Sequence, residues 1–202
     1  AECYTILTYY GYVCVEALDL RIIAGTARGR RFDAPMGMDT RPTLDRVKES
    51  MFGILQFDIP GSSVLDLFSG SGNLGLEAAS RGAKRVVCND RMRECAEQIK
   101  KNAELLKLDD IVQTTSLDYA ECIKKLGRGG NTFQLVFIDA PYADKTAARA
   151  AEQVFQSGIL ADGGRVVVEH ATDLPPDVSE DIAFAADTRR YGTCSITIYE
   201  RR

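Results

Sequence analysis

The chain of 202 residues is 45% hydrophobic and 27% charged, with a formal net charge of −4, which suits a globular domain with a substantial core and excludes a disordered chain. No run is long and apolar enough to cross a bilayer, and the N-terminus lacks the basic-then-apolar pattern of a secretory signal, so a cytoplasmic location is expected. The six cysteines are scattered without a Cys-x-x-Cys pair and stand beside a single histidine, His170, so neither a zinc site nor a disulfide framework is suggested; buried reduced thiols and a strand-end histidine are expected.

In chain order, residues 1–19 fit no later pattern; with Tyr4, Tyr9, Tyr10 and Tyr12 among threonines and aliphatics they read either as an extra strand or as an extension ahead of the natural start. Arg21–Ala24 and Arg30–Phe32 flank Gly25-Thr26-Ala27-Arg28-Gly29, the pattern of a small β-hairpin. Arg41-Pro42-Thr43 then leads into an amphipathic helix with Val47, Met51, Phe52 and Leu55 at helical spacing, stopped by Pro60-Gly61.

From Ser63 onward β-branched runs alternate with helical patterns, which predicts a mostly parallel sheet covered on both faces. The strands are expected at Val64–Phe68, Arg85–Asn89, Ile111–Thr115, Leu135–Asp139 and Arg165–Glu169. Helices are expected near Leu74–Arg81, Met92–Leu106, Tyr119–Leu126 and Ala147–Ser157. Pro175-Pro176 breaks the alternation; Ala183–Thr188 and Ser195–Tyr199, joined through Arg189–Thr193, then predict closure on an antiparallel edge. The division is an extension over 1–19, a hairpin and helix over 20–60, and a catalytic core over 61–202.

The segment Val64–Gly75 carries the first chemistry. An apolar run ends in Asp66 and a glycine-rich turn containing Ser69, Gly70 and Gly72, then enters a helix-like stretch, the order of a strand–loop–helix nucleotide site. Gly70-x-Gly72-x-x-Gly75 alone also fits a dinucleotide fingerprint, with Asp90 at about the spacing of its ribose-binding acid. Asp66 favours another ligand: a carboxylate there repels a pyrophosphate but suits the cationic amino-acid end of S-adenosylmethionine. Asp90, ending the second strand, is then placed for the ribose hydroxyls, and Asp118, after the third, for the adenine amino group; both positions also suit ordinary caps and turns.

The second is Asp139-Ala140-Pro141-Tyr142, which ends the apolar run Leu135–Ile138 at the carboxyl edge of the sheet, where open α/β folds bind ligands. An exocyclic base amine is a poor nucleophile because its lone pair is delocalised into the ring. The Asp139 carboxylate and the Ala140 carbonyl can each accept one amine hydrogen, aiming the lone pair and stabilising charge that develops at nitrogen. Pro141 restricts Ala140 to extended geometry, and Tyr142 offers a stacking face for a base turned out of its stack. Arg21, Arg28, Arg30 and Arg31 lie in a stretch without acids, a plausible phosphate-binding patch or else a solvated hairpin face.

From Leu20 to Tyr199 the chain resembles the bacterial 16S ribosomal RNA guanine-N2 methyltransferases of the RsmD type. The likeness rests on Arg21-Ile22-Ile23-Ala24-Gly25, Arg41-Pro42-Thr43 with Asp45–Glu49, the loop Asp66–Gly75, the Asp139–Tyr142 turn and Tyr191-Gly192. It implies a class I, Rossmann-like methyltransferase fold, S-adenosylmethionine as donor, and methylation at N2 of guanine 966 in free 16S rRNA or a partly assembled small subunit. It also implies that the Arg41–Glu49 segment, Thr43 included, lies over the cofactor; from the residues themselves no metal and no membrane is expected. Two departures stand out: the family has proline where this chain has Ala140, and members begin with methionine where Leu20 stands. Alternatives are a DNA or other RNA amino-methyltransferase, a ribosome-assembly factor without turnover, and a nicotinamide oxidoreductase. The short connections disfavour the first, since a DNA enzyme needs a target-reading insertion.

Overall fold

The computed structural model describes residues 4–8, 11–15, 20–35, 45–141 and 145–202. Two short hairpins precede the main sheet. The first joins β1 (Tyr4–Thr8) to β2 (Gly11–Val15), so residues 1–19 contain strands. The second joins β3 (Leu20–Arg21) to β4 (Arg31–Phe32). Its strands are shorter than the pattern predicts because the backbone N–H groups of Ile23 and Ala24 donate to the Glu77 carboxylate at 2.8 and 3.0 Å rather than to a neighbouring strand.

Helix α1 (Asp45–Ile54) buries Val47, Met51 and Phe52, and Leu55 just beyond its end is buried too. The helix stops several residues ahead of Pro60, and the Phe52 ring packs 5.6 Å from Phe137 in the sheet. The core then alternates β5 (Ser63–Asp66), α2 (Asn73–Ser80), β6 (Arg85–Asn89), α3 (Arg93–Leu106), β7 (Val112–Thr115), α4 (Tyr119–Arg128), β8 (Phe133–Ile138), α5 (Thr146–Gln156) and β9 (Leu160–Ala171). The chain closes with β10 (Ala183–Tyr191) and β11 (Cys194–Arg201), joined by a two-residue turn in which Gly192 takes φ 64°; the predicted five-residue connection shrinks accordingly. Strand β9 is also longer than expected, because it pairs with β11 from Arg165 to Ala171 and resumes beside Phe133 at Leu160 across a register shift.

The seven strands stand in the order β10-β11-β9-β8-β5-β6-β7. Strands β5 to β9 are mutually parallel, and the antiparallel pairings lie at the other end, where β11 is the reversed strand one place in from the edge. Apolar side chains fill both faces: Phe52, Val64, Ile99, Phe137 and Val167 on one, Leu65, Val136, Val154, Phe155 and Val168 on the other. Leu20, Ile22 and Phe32 of the second hairpin belong to the first cluster, so hairpin and sheet share one core. Strand β5 has partners on both sides and connects onward to β6 while β8 flanks it, so its carboxyl end is the switch point where an open α/β sheet leaves a crevice.

Candidate active site

The loop after β5 is fixed by its neighbours. Ser69 N–H donates to the Asn89 carbonyl at 2.8 Å, Ser69 Oγ donates to the Asp66 carbonyl at 2.8 Å, and Leu67 N–H donates to the Phe137 carbonyl at 3.1 Å. Asn89, a residue the sequence gives no reason to single out, donates through Nδ2 to the Leu67 and Leu117 carbonyls and accepts from Thr115 Oγ1, tying together the ends of three strands.

The three glycines do different work. Gly70 has φ 51°, and a Cβ built there would meet nothing within 4 Å, so its open side faces free space. Gly72, with φ 84°, would place a Cβ 3.0 Å from Ile99 Cγ1, and Gly75 would place one 2.3 Å from Cys88 Sγ. Close approach by a ligand therefore falls to Gly70, whereas Gly72 and Gly75 let α2 seat against α3 and β6.

Asp66 is buried beneath this loop. Its Oδ2 accepts from Gly75 N–H at 2.9 Å, while Oδ1 has no partner among the described residues. Burial pushes its carboxyl up to about 7, with the nearby Asp90 adding and the Gly75 N–H opposing. A buried acceptor left without a donor costs about 1–3 kcal/mol, and a cationic group arriving there removes that cost. The amino group of S-adenosylmethionine is such a cation, so the residues present fit the cofactor.

Asp90 accepts from Gly70 N–H through Oδ2 and from Met92 N–H through Oδ1, each at 2.9 Å, so it shapes the loop, and a carboxylate retains further acceptor capacity for ribose hydroxyls. Asp118 is exposed and caps α4 by accepting from Ala120 N–H at 2.9 Å. The structure thus supplies Asp118 with the capping role that its position also suited. Beside it Phe68 and Tyr119, which the sequence does not mark, pack with ring centroids 5.5 Å apart.

Asp139 follows β8 at the carboxyl edge, next to the glycine loop, and is partly exposed. Its carboxyl is held well above the usual range, first by loss of hydration and then by the charges of Glu169 and Asp66. Ala140 is buried, and with Pro141 it bounds a cavity of about 280 Å³ whose other walls include Lys145, Glu169, His170 and Leu174. Thr43 and Tyr142 lie outside the described residues. His170 occupies β9 as a satisfied interior residue, its Nδ1–H donating to the Ala171 carbonyl at 2.8 Å and its Nε2 lying 2.9 Å from Thr197 Oγ1.

The arginines of the second hairpin diverge. Arg21 pairs with Asp45 at 2.8 Å, and Arg30 donates to the carbonyls of Leu105 and Leu106 at the end of α3. Arg28 and Arg31 are exposed. Behind them lies a buried network whose pairing the sequence does not reveal: Lys48 Nζ sits 3.3 Å from Glu77 and donates to Asn73 Oδ1 and to the Arg21 carbonyl, each at 2.7 Å. Both charged side chains are fully buried, and loss of hydration lowers the Lys48 pKa.

The family model described as conserved hypothetical protein 95 matches residues 20–200. Ribosomal RNA small subunit methyltransferase D of Haemophilus influenzae is 36% identical over 78% of this chain and 81% of its own. The chain belongs to the RsmD-type methyltransferase family. YlbH of Bacillus subtilis, provisionally named an rRNA methyltransferase, is 32% identical over 91% of this chain and all of its own. Among solved structures, Escherichia coli yhhF superposes with a TM-score of 0.79 at 30% identity, covering 91% of this chain and 98% of that one. The fold is the class I methyltransferase fold, its mostly parallel sheet carrying an antiparallel edge in which β11 lies between β9 and β10. The family's cofactor is S-adenosylmethionine.

Proposed function

We propose that this RsmD-type protein methylates the exocyclic N2 amine of guanine 966 in small-subunit ribosomal RNA, as free 16S rRNA or within a partly assembled particle. The observation that carries the reading is the adjacency of the Asp139-Ala140-Pro141 turn and the Asp66–Gly75 loop, joined by the 3.1 Å bond from Leu67 N–H to the Phe137 carbonyl. S-adenosylmethionine, when bound, supplies a methyl group on a positively charged sulfur, and transfer breaks that carbon–sulfur bond to leave a neutral thioether.

The protein's part is to hold and orient. Asp66 takes the cationic amino end, Gly70 lets the backbone come close, and Asp90 accepts from the ribose hydroxyls, with Ser69, Thr43 and Asp118 completing the surround. Asp139 and the Ala140 carbonyl accept the two amine hydrogens of the target base, which turns the nitrogen lone pair toward the methyl carbon. As the new carbon–nitrogen bond forms, the amine sheds one proton to the ionised Asp139 carboxylate, which its dehydrated, acid-flanked surroundings make a stronger base than a free aspartate. Pro141 holds Ala140 extended, Tyr142 stacks on the base, and the exposed Arg28 and Arg31, with Arg21 and Arg30 beside them, meet RNA phosphates.

The test is nucleoside mass spectrometry of small-subunit RNA and of 30S particles incubated with the protein and labelled S-adenosylmethionine. Label in N2-methylguanosine supports the reading; label in an adenosine or cytidine product, or none in either substrate, overturns it. Asp139→Ala is expected to leave cofactor affinity nearly intact and to lower the single-turnover rate by roughly two to three orders of magnitude.

A further inference from the structure

Both faces of this sheet are covered, and β9 accordingly reads Val166-Val167-Val168, yet the next residue is a carboxylate: Glu169 is only 6% exposed. Register shows what lies beside it. Ile138 pairs with Val168 in the parallel β8–β9 ladder, so Asp139 and Glu169 follow at the same level on adjacent strands, about 5 Å apart along the ladder. Phe137 and Val167, two residues back on each strand, both belong to the first apolar cluster, so the two acids share its face. Glu169 also lines the cavity bounded by Ala140 and Pro141, and Cys194 Sγ lies 3.3 Å from its Oε1.

On the proposed function above, the base presents its Watson–Crick edge to this row. In guanine the N2 amine is flanked by N1–H, two neighbouring donors. In adenine the N6 amine is flanked by a bare N1, an acceptor. Carboxylate oxygens accept, so Glu169 beside Asp139 complements the first edge and sets acceptor against acceptor at the second. We propose that Glu169 accepts the N1–H of the target guanine next to the amine held by Asp139, and thereby sets the base specificity of the site. The inference rests on the guanine reading and adds to it the residue that enforces it.

The probe is 2-aminopurine, which keeps the reactive 2-amine but carries a bare N1. Single-turnover methylation is compared on two small-subunit RNA fragments that differ only in guanine or 2-aminopurine at the methylated nucleotide, with wild type and with Glu169→Gln, whose amide can donate to the bare N1. The wild type is expected to prefer guanine by about a hundredfold or more, the scale for a site whose buried polar group loses its partner. Glu169→Gln is expected to bring the ratio within about tenfold, at unchanged S-adenosylmethionine affinity. A wild-type ratio near one overturns the role of Glu169 without recourse to any variant, so a poorly folding variant does not shield the proposal. A ratio preserved in Glu169→Gln, with both substrates slowed alike, marks a structural acid and overturns it as well. A wild type inert on the guanine fragment instead defeats the underlying function, an outcome distinct from either.

Discussion

Asp66 binds its proton more tightly in the folded chain, at about 7, than an unfolded aspartate does near 4. The folded state therefore holds the extra proton between those values, and the free energy of unfolding of the cofactor-free protein is expected to fall as pH rises from about 4 through about 7 and then to level off. Asp66→Asn should remove that slope in denaturant titrations, stabilise the free protein at pH 8, and weaken S-adenosylmethionine binding. In the wild type, calorimetric affinity for the cofactor should rise across the same window, because only the ionised carboxylate pairs with the amino group. A second expectation concerns Gly75: Gly75→Ala drives a methyl group into Cys88 Sγ, a steric conflict worth about 1–3 kcal/mol, and Cys88→Ala in the same chain should recover part of it, as melting temperatures of the four proteins would show. The strand-end placing of Asp66, Gly70 and Asp139 was legible in the sequence because each sits in a contiguous run whose spacing marks the end of a strand. Asn89, Lys48 and Glu169 were not, since their partners come from distant segments and only strand register brings them together.

Helices and strands were legible to the extent that burial repeats along them. Strand β6 falls where its apolar run places it, and α3 begins one residue late and ends as expected, with Cys95, Ala96, Ile99, Ala103 and Leu106 on its buried face. The second hairpin departs from expectation because another element takes its donors. Glu77 of α2 accepts from Ile23 N–H, Ala24 N–H and Arg81 Nε while facing Lys48, so it serves as the hairpin's missing strand. Removing it by Glu77→Ala strands a buried ammonium and two amides, and is expected to cost about 3–5 kcal/mol in chemical denaturation. Lys48→Met with Glu77→Gln should be milder than Glu77→Ala alone, since no uncompensated charge is left inside. Arg30 works at a smaller scale as a cap on the carbonyl end of α3.

At the scale of the whole molecule, an acidic protein must gather its cations locally if it is to hold RNA. Because Arg30 also secures α3, the test of the hairpin uses the pair Arg28→Ala and Arg31→Ala. The doubly neutralised protein is expected to show a salt dependence of RNA binding flatter by about one unit of slope for each lost phosphate contact, with S-adenosylmethionine affinity unchanged. An unaltered slope would move the RNA surface elsewhere on the molecule. The tethering of that hairpin has a consequence for how the protein is made. Ile23, Ala24, Thr26 and Ala27 all give their N–H groups to Glu77 or Ser80, more than fifty residues downstream. A chain growing from its N-terminus at about 5–20 residues per second leaves those amides in water for some seconds before α2 exists to receive them. The hairpin is thus synthesised early and finished late, and a chain cut short before Ser80 carries every hairpin arginine without the scaffold that sets their direction.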